Sequence, residues 1–585
     1  MSESRSLAAR ARGPGCVAAV GAALALLGPL PLAESARLVD GGYSRQTAYS
    51  SGDADIDRLQ DYFAQALEAN GKEFEGRTGT VRGFGAGDVY PQIWLRDSAT
   101  LIPLARYLFP RERLTSWLEE HLAHQTPDGA LFDWIASGAP ERFRQWAPNV
   151  RQVYRSGALQ ISADKNTTES DQEPSAVAGV YQSFRVTGDE AWLRKPILGT
   201  TLLERCDRAL LYLLQHRLDP RLGLVTSALT ADWGDVSPTY SDQRSIYRDA
   251  RTPVVASLYA NALFHAAALR LAELHDAAGG RIRAAFWRTK AQTIQARLAA
   301  RLWDEKQGFF RMHALLTPDL APAYPGDGIF ALGGNALAVL SGAASDEQAR
   351  RIFETAERRC REHGVSTIAA VLLPPFPDGF FKHPAVSGQW QYQNGGQWDW
   401  FAGRLILAEY ERGHSERATA QLSQIARRAV QAGGLFEWNS RTGEGRGSSR
   451  YAGSAGALAE AVFRGLYGVE LVGKTLSLRV RLRDKPGDIH LYQPATDTYV
   501  AYRYLPAPRQ GVLAIHYESN AQPGRLAVAL PAGTRVTGAT RDGRETPVAT
   551  EARGNDRFAC LDTDWKPHRL EIGIEQVGAR GSRLQ

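Results

Sequence analysis

Cysteine is scarce, with 4 in 585 residues. Cys16 falls inside an early apolar run, and the other three, Cys206, Cys360 and Cys560, are far apart and odd in number. There is no CxxC, so a disulfide framework is excluded and a large core must carry stability. The 12 histidines are scattered with no HExxH-like spacing, so no metal ligands are assigned. No block of Lys/Arg is interleaved with aromatics, which argues against a nucleic-acid groove. The net charge of +6 is spread along the chain and reads as solubility. After the first 36 residues no apolar run is long enough to cross a bilayer.

What is present divides the chain. Arg5, Arg10 and Arg12 precede "CVAAVGAALALLGPLPLA", a basic start, a short apolar run and a small-residue exit. This predicts a secretory signal peptide over 1–36 and export to the periplasm or beyond, with no stable span after cleavage; an uncleaved anchor is the alternative. Residues 37–52 read as a linker. Over 53–470 apolar residues recur at helical spacing in about twelve segments: 55–69, 98–109, 112–123, 174–187, 193–215, 252–275, 281–302, 334–341, 347–361, 396–412, 415–432 and 453–467. Short connections alternate with long ones rich in aromatics, Gly, Asp and Asn. Six antiparallel hairpins predict an (α/α)6 barrel with the long loops at one mouth; a solenoid would need a repeat that is absent. From 471 to 575, stretches such as "TLSLRVRL", "DIHLYQP", "YVAYRYL", "GVLAIHYES", "RLAVALP" and "HRLEIGI" alternate apolar with polar residues. They predict an antiparallel β-sandwich domain. Residues 576–585 read as a disordered tail.

The long loops concentrate acids and indoles. "WLRDSA" holds Trp94, Arg96 and Asp97; the aspartate is either a helix cap or an acceptor for sugar hydroxyls. "NTTESDQEPSAV" holds Gln172 and Glu173, and its Ser170 or Asp171 could cap the next helix. "ALTADWGDVSP" sets Asp232 and Asp235 about Trp233, a turn by composition. "YQNGGQWDWFAG" holds Gln397, Trp398 and Trp400, and "LFEWNSRTGEGRG" holds Glu437, whose plain alternative is an ion pair with Arg441 or Arg446. Each loop has a structural explanation alone. Their joint occurrence predicts a carbohydrate site.

The layout resembles the (α/α)6-barrel, six-hairpin glycosidases over most of 53–470. "WLRDSA" resembles a bacterial glucoamylase segment whose aspartate binds the cleaved sugar, and "LFEWNSRTGEGRG" resembles the stretch carrying the catalytic base, which places that role on Glu437. "ADWGD" is similar to the A-D-W-N-D of cellobiose and chitobiose phosphorylases, whose general acid is the second aspartate, here Asp235. "GRGSSRYAGSAG" is also similar to those phosphorylases, with Ala452 where they carry a phosphate-binding threonine, and "YQNGGQWDW" resembles debranching-type members. The resemblance implies an inverting glycoside hydrolase, with glucosides the first substrates to consider and no cofactor. Asp235 would be the acid, its pKa raised by burial against Trp233 and by Asp232 or Glu173, and Glu437 the base. Trp94, Arg96, Asp97, Gln172, Glu173, Asp232, Trp233, Gln397, Trp398 and Trp400 would bind substrate, the four indoles by stacking. Glu173 is the alternative acid. Other readings are a phosphorylase of the same fold, a polysaccharide lyase and a non-catalytic sugar-binding protein. Oligomeric state is not encoded in any motif.

Overall fold

A computed structural model describes residues 46–323 and 326–577. The expected signal peptide, the first part of the linker and nearly all of the tail lie outside the described residues.

Among the described residues, twelve helices of two turns or more precede the strand-rich region: α1 (Ala54–Asn70), α2 (Leu95–Ala105), α3 (Arg111–Ala123), α4 (Gln172–Thr187), α5 (Leu202–His216), α6 (Leu258–Ala277), α7 (Arg281–Arg301), α8 (Leu332–Leu340), α9 (Asp346–His363), α10 (Asp399–Glu411), α11 (Ser415–Ala432) and α12 (Ala452–Glu460). Their packing alternates. Each even-numbered helix touches the next, α2 to α4 to α6 to α8 to α10 to α12, and α12 returns to α2. The odd-numbered helices pack against that closed ring or against each other. Sequence explains the division. In α9 the buried positions Ala349, Ile352, Phe353, Ala356 and Cys360 form one stripe, which suits an outer helix. In α8 every residue from Leu332 to Val339 is buried, glycines and alanines included, so it is covered on all sides. Capping boxes at Thr201/Glu204 and Ser345/Gln348 start α5 and α9.

The long connections are built from short sheets rather than irregular chain. Strands at 93–94, 134–137, 159–164 and 151–156 form one, and strands at 218–219, 224–228, 254–257 and 313–315 another. This corrects two expected helix starts. Val254–Ser257 is a strand paired with both 226–228 and 313–315, so α6 begins at Leu258. A small hairpin at 196–201 precedes α5. The hairpin Gly71–Gly76/Gly79–Phe84 between α1 and α2 was also not foreseen.

The C-terminal region is strand-rich. A seven-stranded sheet runs 48–50, 487–493, 498–507, 512–519, 568–576, 534–541, 544–545. A five-stranded sheet runs 469–472, 475–480, 522–529, 556–563, 549–553. All six strand motifs noted above lie in these sheets. Pairing is antiparallel except between 475–480 and 522–529, which run parallel. Ala48–Ser50, expected as linker, is an edge strand on 488–490. A buried seam joins this region to the helices. Arg106, just after α2, donates through Nε to Gln493 Oε1 at 2.9 Å and through Nη2 to Leu471 O at 2.6 Å. Arg481 donates to the carbonyls of Arg464 and Gly465. Cys206, Cys360 and Cys560 are buried and unpaired.

Candidate active site

The ring helices bring their first turns together. Arg96, in the first turn of α2, donates from Nη1 to Glu169 and Asp171 just before α4, each at 2.8 Å. Its guanidinium lies 5.6 Å from the ring centre of Trp400, in the first turn of α10. Trp400 packs on Tyr451, which precedes α12. The Tyr451 hydroxyl donates to Asp97 Oδ1 at 2.7 Å. Asp232 accepts from the Gly334 N–H in the first turn of α8 at 3.1 Å. Convergent helix N-termini present free N–H groups and a positive partial charge, which offsets part of the cost of gathering carboxylates there. The sheet of 93–94, 134–137 and 159–164 fixes the entry to α2, pairing Trp94 with Trp134 and Trp134 with Asp164.

Glu437 sits on one side of this cluster, 4% exposed. The Tyr90 hydroxyl reaches both its oxygens at 3.1 Å, Tyr392 donates to Oε1 at 3.2 Å, and the Ser448 N–H donates to Oε2 at 3.1 Å. Burial pushes its pKa up to about 7 against those donors. The turn beneath it needs glycine: Gly447 has φ +71°, and a Cβ there would lie 2.4 Å from Glu437 Oε2. Neither alternative ion pair forms, since Arg441 reaches His363 O and Arg446 pairs with Glu444.

Asp235 also borders this cluster, its side chain 30% exposed. Gln393 Nε2 donates to Oδ1 at 2.6 Å, and Arg96 Nη2 lies 3.9 Å from the same oxygen. Its backbone carbonyl accepts from Asn166 and Thr168, which anchors the turn. Burial raises its pKa, opposed by Arg96 and Gln393 and reinforced by Asp171. The carboxylate acting on it is thus Asp171, not Asp232 or Glu173 as expected. Asp97, Asp133 and Glu169 are likewise held above the ordinary carboxyl range by burial. Asp235 contributes to the field at Asp97, Asp133, Tyr90 and Tyr392, and Glu437 to that at Tyr90 and Tyr392.

Several expected contacts resolve differently. Glu173 is fully buried against Lys165 Nζ at 2.8 Å and the Leu131 N–H, an unsuitable place for a proton donor. Gln172 is buried and donates to Glu169 and to Asn166 O. Gln397 is consumed in tying Thr367, Arg428 and Ser440 together. Trp233, Trp398 and Trp400 are 2%, 1% and 0% exposed, packed on one another, on Phe401 and on Tyr451, so they offer no open stacking face. Of the four indoles only Trp94 is partly exposed, with Tyr90 at 6.0 Å. Asp232 has φ +58° and holds the start of α8, where Gly333 and Gly334 leave room for its carboxylate. Sequence reasoning passed over Tyr90, Asp133, Gln393 and Tyr451. Asp133 carried a signal, an Asp before a Trp in "LFDW", like Asp232–Trp233.

The arrangement supplies one buried and one partly exposed carboxylate, Glu437 and Asp235, further hydroxyl acceptors at Asp97 and Asp133, and an aromatic wall, which suits acid–base chemistry on a polyol. Among the described residues no group of His, Cys, Asp and Glu is arranged to hold a metal ion. None of the described helices is long and apolar enough to cross a membrane.

A model of the mannosylglycerate hydrolase MGH1-like glycoside hydrolase domain matches residues 90–454, a span that holds both Asp235 and Glu437. In three dimensions the chain is similar to the GH78 family rhamnosidase of a Bacillus species, at 14% identity and TM-score 0.56, over 84% of this chain and 43% of that one. It is similar to the alpha-L-rhamnosidase from Dictyoglumus thermophilum at 11% identity and TM-score 0.56, over 90% of this chain and 50% of that one. The chain thus spans half the length of those enzymes or less. The GH63 mannosylglycerate hydrolase from Thermus thermophilus aligns at 18% identity and TM-score 0.49, over 68% of this chain and 99% of that one. No curated protein matches the chain.

Proposed function

The chain belongs to the mannosylglycerate hydrolase MGH1-like glycoside hydrolases, within the six-hairpin glycosidases, and on that premise we propose that it hydrolyses a glycosidic bond by single displacement with inversion. The ring of α2, α4, α6, α8, α10 and α12 is then the inner layer of an (α/α)6 barrel, and the strand-rich region a β-sandwich that braces it. Asp235 donates a proton to the leaving oxygen. Glu437 takes one from the attacking water, the two carboxyls about 6.5–9.5 Å apart to admit it. The observation carrying this reading is that two carboxylates far apart in the chain are held by adjacent residues, Glu437 by Tyr392 and Asp235 by Gln393. Asp97 and Asp133 accept sugar hydroxyls, Arg96 orders the carboxylates around the acid, and Trp94 packs on the ring. A glucoside is the first substrate from the glucoamylase resemblance, and mannosylglycerate the second from the family's description. The basic, apolar N-terminus supports export.

One observation favours the reverse assignment: burial holds Glu437 at about 7, while Arg96 beside Asp235 favours a carboxylate there. Leaving-group dependence separates the two. Losing the acid matters little when the leaving group needs no proton, whereas losing the base harms every substrate. D235N should keep activity on a glycosyl fluoride and lose it at least ~100-fold on a disaccharide. E437Q should fail on both. The opposite pattern reverses the roles, and near-native turnover of both variants rejects the pair.

A further inference from the structure

Residues 390–396 form a turn whose shape local preference does not explain. Trp390 and Tyr392 have φ of +62° and +43°, a region bulky side chains avoid. The turn is fixed from within. The Asn394 N–H donates to Gln391 O at 2.7 Å, and the buried Asn394 amide bonds both backbone groups of Phe376 and the carbonyls of Val386 and Gly388. Trp398 Nε1 holds Tyr392 O at 3.0 Å. A Cβ on Gly396 would lie 2.4 Å from that same oxygen, so only glycine admits the approach. A strained conformation held by this many bonds marks a placement the fold maintains for a purpose.

What it places is one donor on each carboxylate. Tyr392 Oη meets Glu437 Oε1 at 3.2 Å; Gln393 Nε2 meets Asp235 Oδ1 at 2.6 Å, and Gln393 Oε1 also accepts the Asp235 N–H at 3.3 Å. We propose that Tyr392 and Gln393 are positioning residues forming a two-residue yoke, each fixing one carboxylate of the acid–base pair, so that a single turn sets the spacing and the separate proton affinities of both. This rests on the acid–base reading above. The other titratable or charged groups acting on Asp235 are Arg96, Asp171, His383, Asp97, Asp133, Glu169 and Tyr90; those acting on Glu437 are Tyr90, Asp97 and Tyr451. None of these contacts both carboxylates through adjacent backbone positions.

The yoke has a signature that plain structural damage lacks. Both donors stabilise the ionised form of their carboxylate, so removing either raises that carboxyl's pKa. The acid must be protonated, and its pKa sets the alkaline limb of the kcat/KM profile; the base must be ionised, and its pKa sets the acidic limb. Q393M should therefore move the alkaline limb up by about one pH unit and widen the bell. Y392F should move the acidic limb up by a similar amount and narrow it. Q393E, which keeps the side chain's size and polarity, should move the alkaline limb further up and stands in should Q393M fail to fold. The profiles are measured on maltose or mannosylglycerate, whichever is cleaved, with D235N and E437Q alongside. Inactive D235N and E437Q with both limbs unmoved in the yoke variants, whose rates are merely scaled, overturn the proposal and leave the acid–base reading intact. A limb moved by the wrong partner, Tyr392 acting on the alkaline side, also overturns it. Active D235N or E437Q rejects the acid–base reading itself.

Discussion

Asp232 and Asp235 stand three positions apart and face different environments. Asp235 is partly open and meets Gln393 and Arg96, whereas Asp232 is 3% exposed and meets two glycine amides. Burial pushes the Asp232 pKa up to about 7. A carboxyl whose folded pKa lies above its unfolded value, about 4, binds its proton more tightly in the native state. Its favourable contribution is fully present below pH 4 and is lost as pH rises to about 7. D232N keeps an oxygen for the Gly334 N–H and never ionises. It should be more stable than the parent above pH 7, by on the order of 1 kcal/mol, with the gap closing below pH 4. Denaturant titrations at pH 4 and pH 8 check this, and an equal loss at both refutes it. The acid and base candidates were legible because an Asp or Glu beside an indole in a turn-rich loop is unusual. Their partners were not, because a lone tyrosine such as Tyr90 or an amide such as Gln393 has no local pattern to give it away.

Among the elements, the ring helices were readable by period, but their exact starts were not. Residues 95–97 lack an apolar repeat of their own, yet α2 starts at Leu95 because the paired strands 93–94 and 134–137 deliver the chain there, with the Leu95 N–H on Asp133 O at 2.9 Å. The short sheets escaped because two- to six-residue strands inside polar loops alternate too briefly to be seen. The turn at Gly445–Ser448 shows what such an element does. It pairs Trp438 with Arg446 and brings the Ser448 N–H onto Glu437. Gly447→Ala forces a side chain into φ +71° and against the carboxylate. Because this position is exposed, the variant should fold with a melting temperature within about 2 °C of the parent and lose at least tenfold in kcat/KM. Unchanged activity would show that the turn does not set the base.

Across the molecule, the helical region and the smaller strand-rich region share one continuous core. The composition shift near residue 470 made the change from helix to strand visible in sequence. The return of Ala48–Ser50 to the far sheet was invisible, since three residues carry no period and pair with strands more than four hundred positions away. Arg106 is a central tie of the seam, buried with Gln493 and Leu471 O as its partners. Arg106→Ala leaves both acceptors buried and unpaired, which should cost about 2–4 kcal/mol of stability while kcat/KM of the folded enzyme stays unchanged. A fall in kcat/KM with no loss of stability would instead give the seam a part in catalysis. The central claim is that one water attacks the sugar from the face opposite the leaving group, activated by Glu437 while Asp235 protonates the other side. Proton NMR of the first sugar released from a cleaved disaccharide or mannosylglycerate reads this directly. The expected first product has the anomeric configuration opposite to the substrate's; a product of the same configuration means a double displacement and contradicts the account.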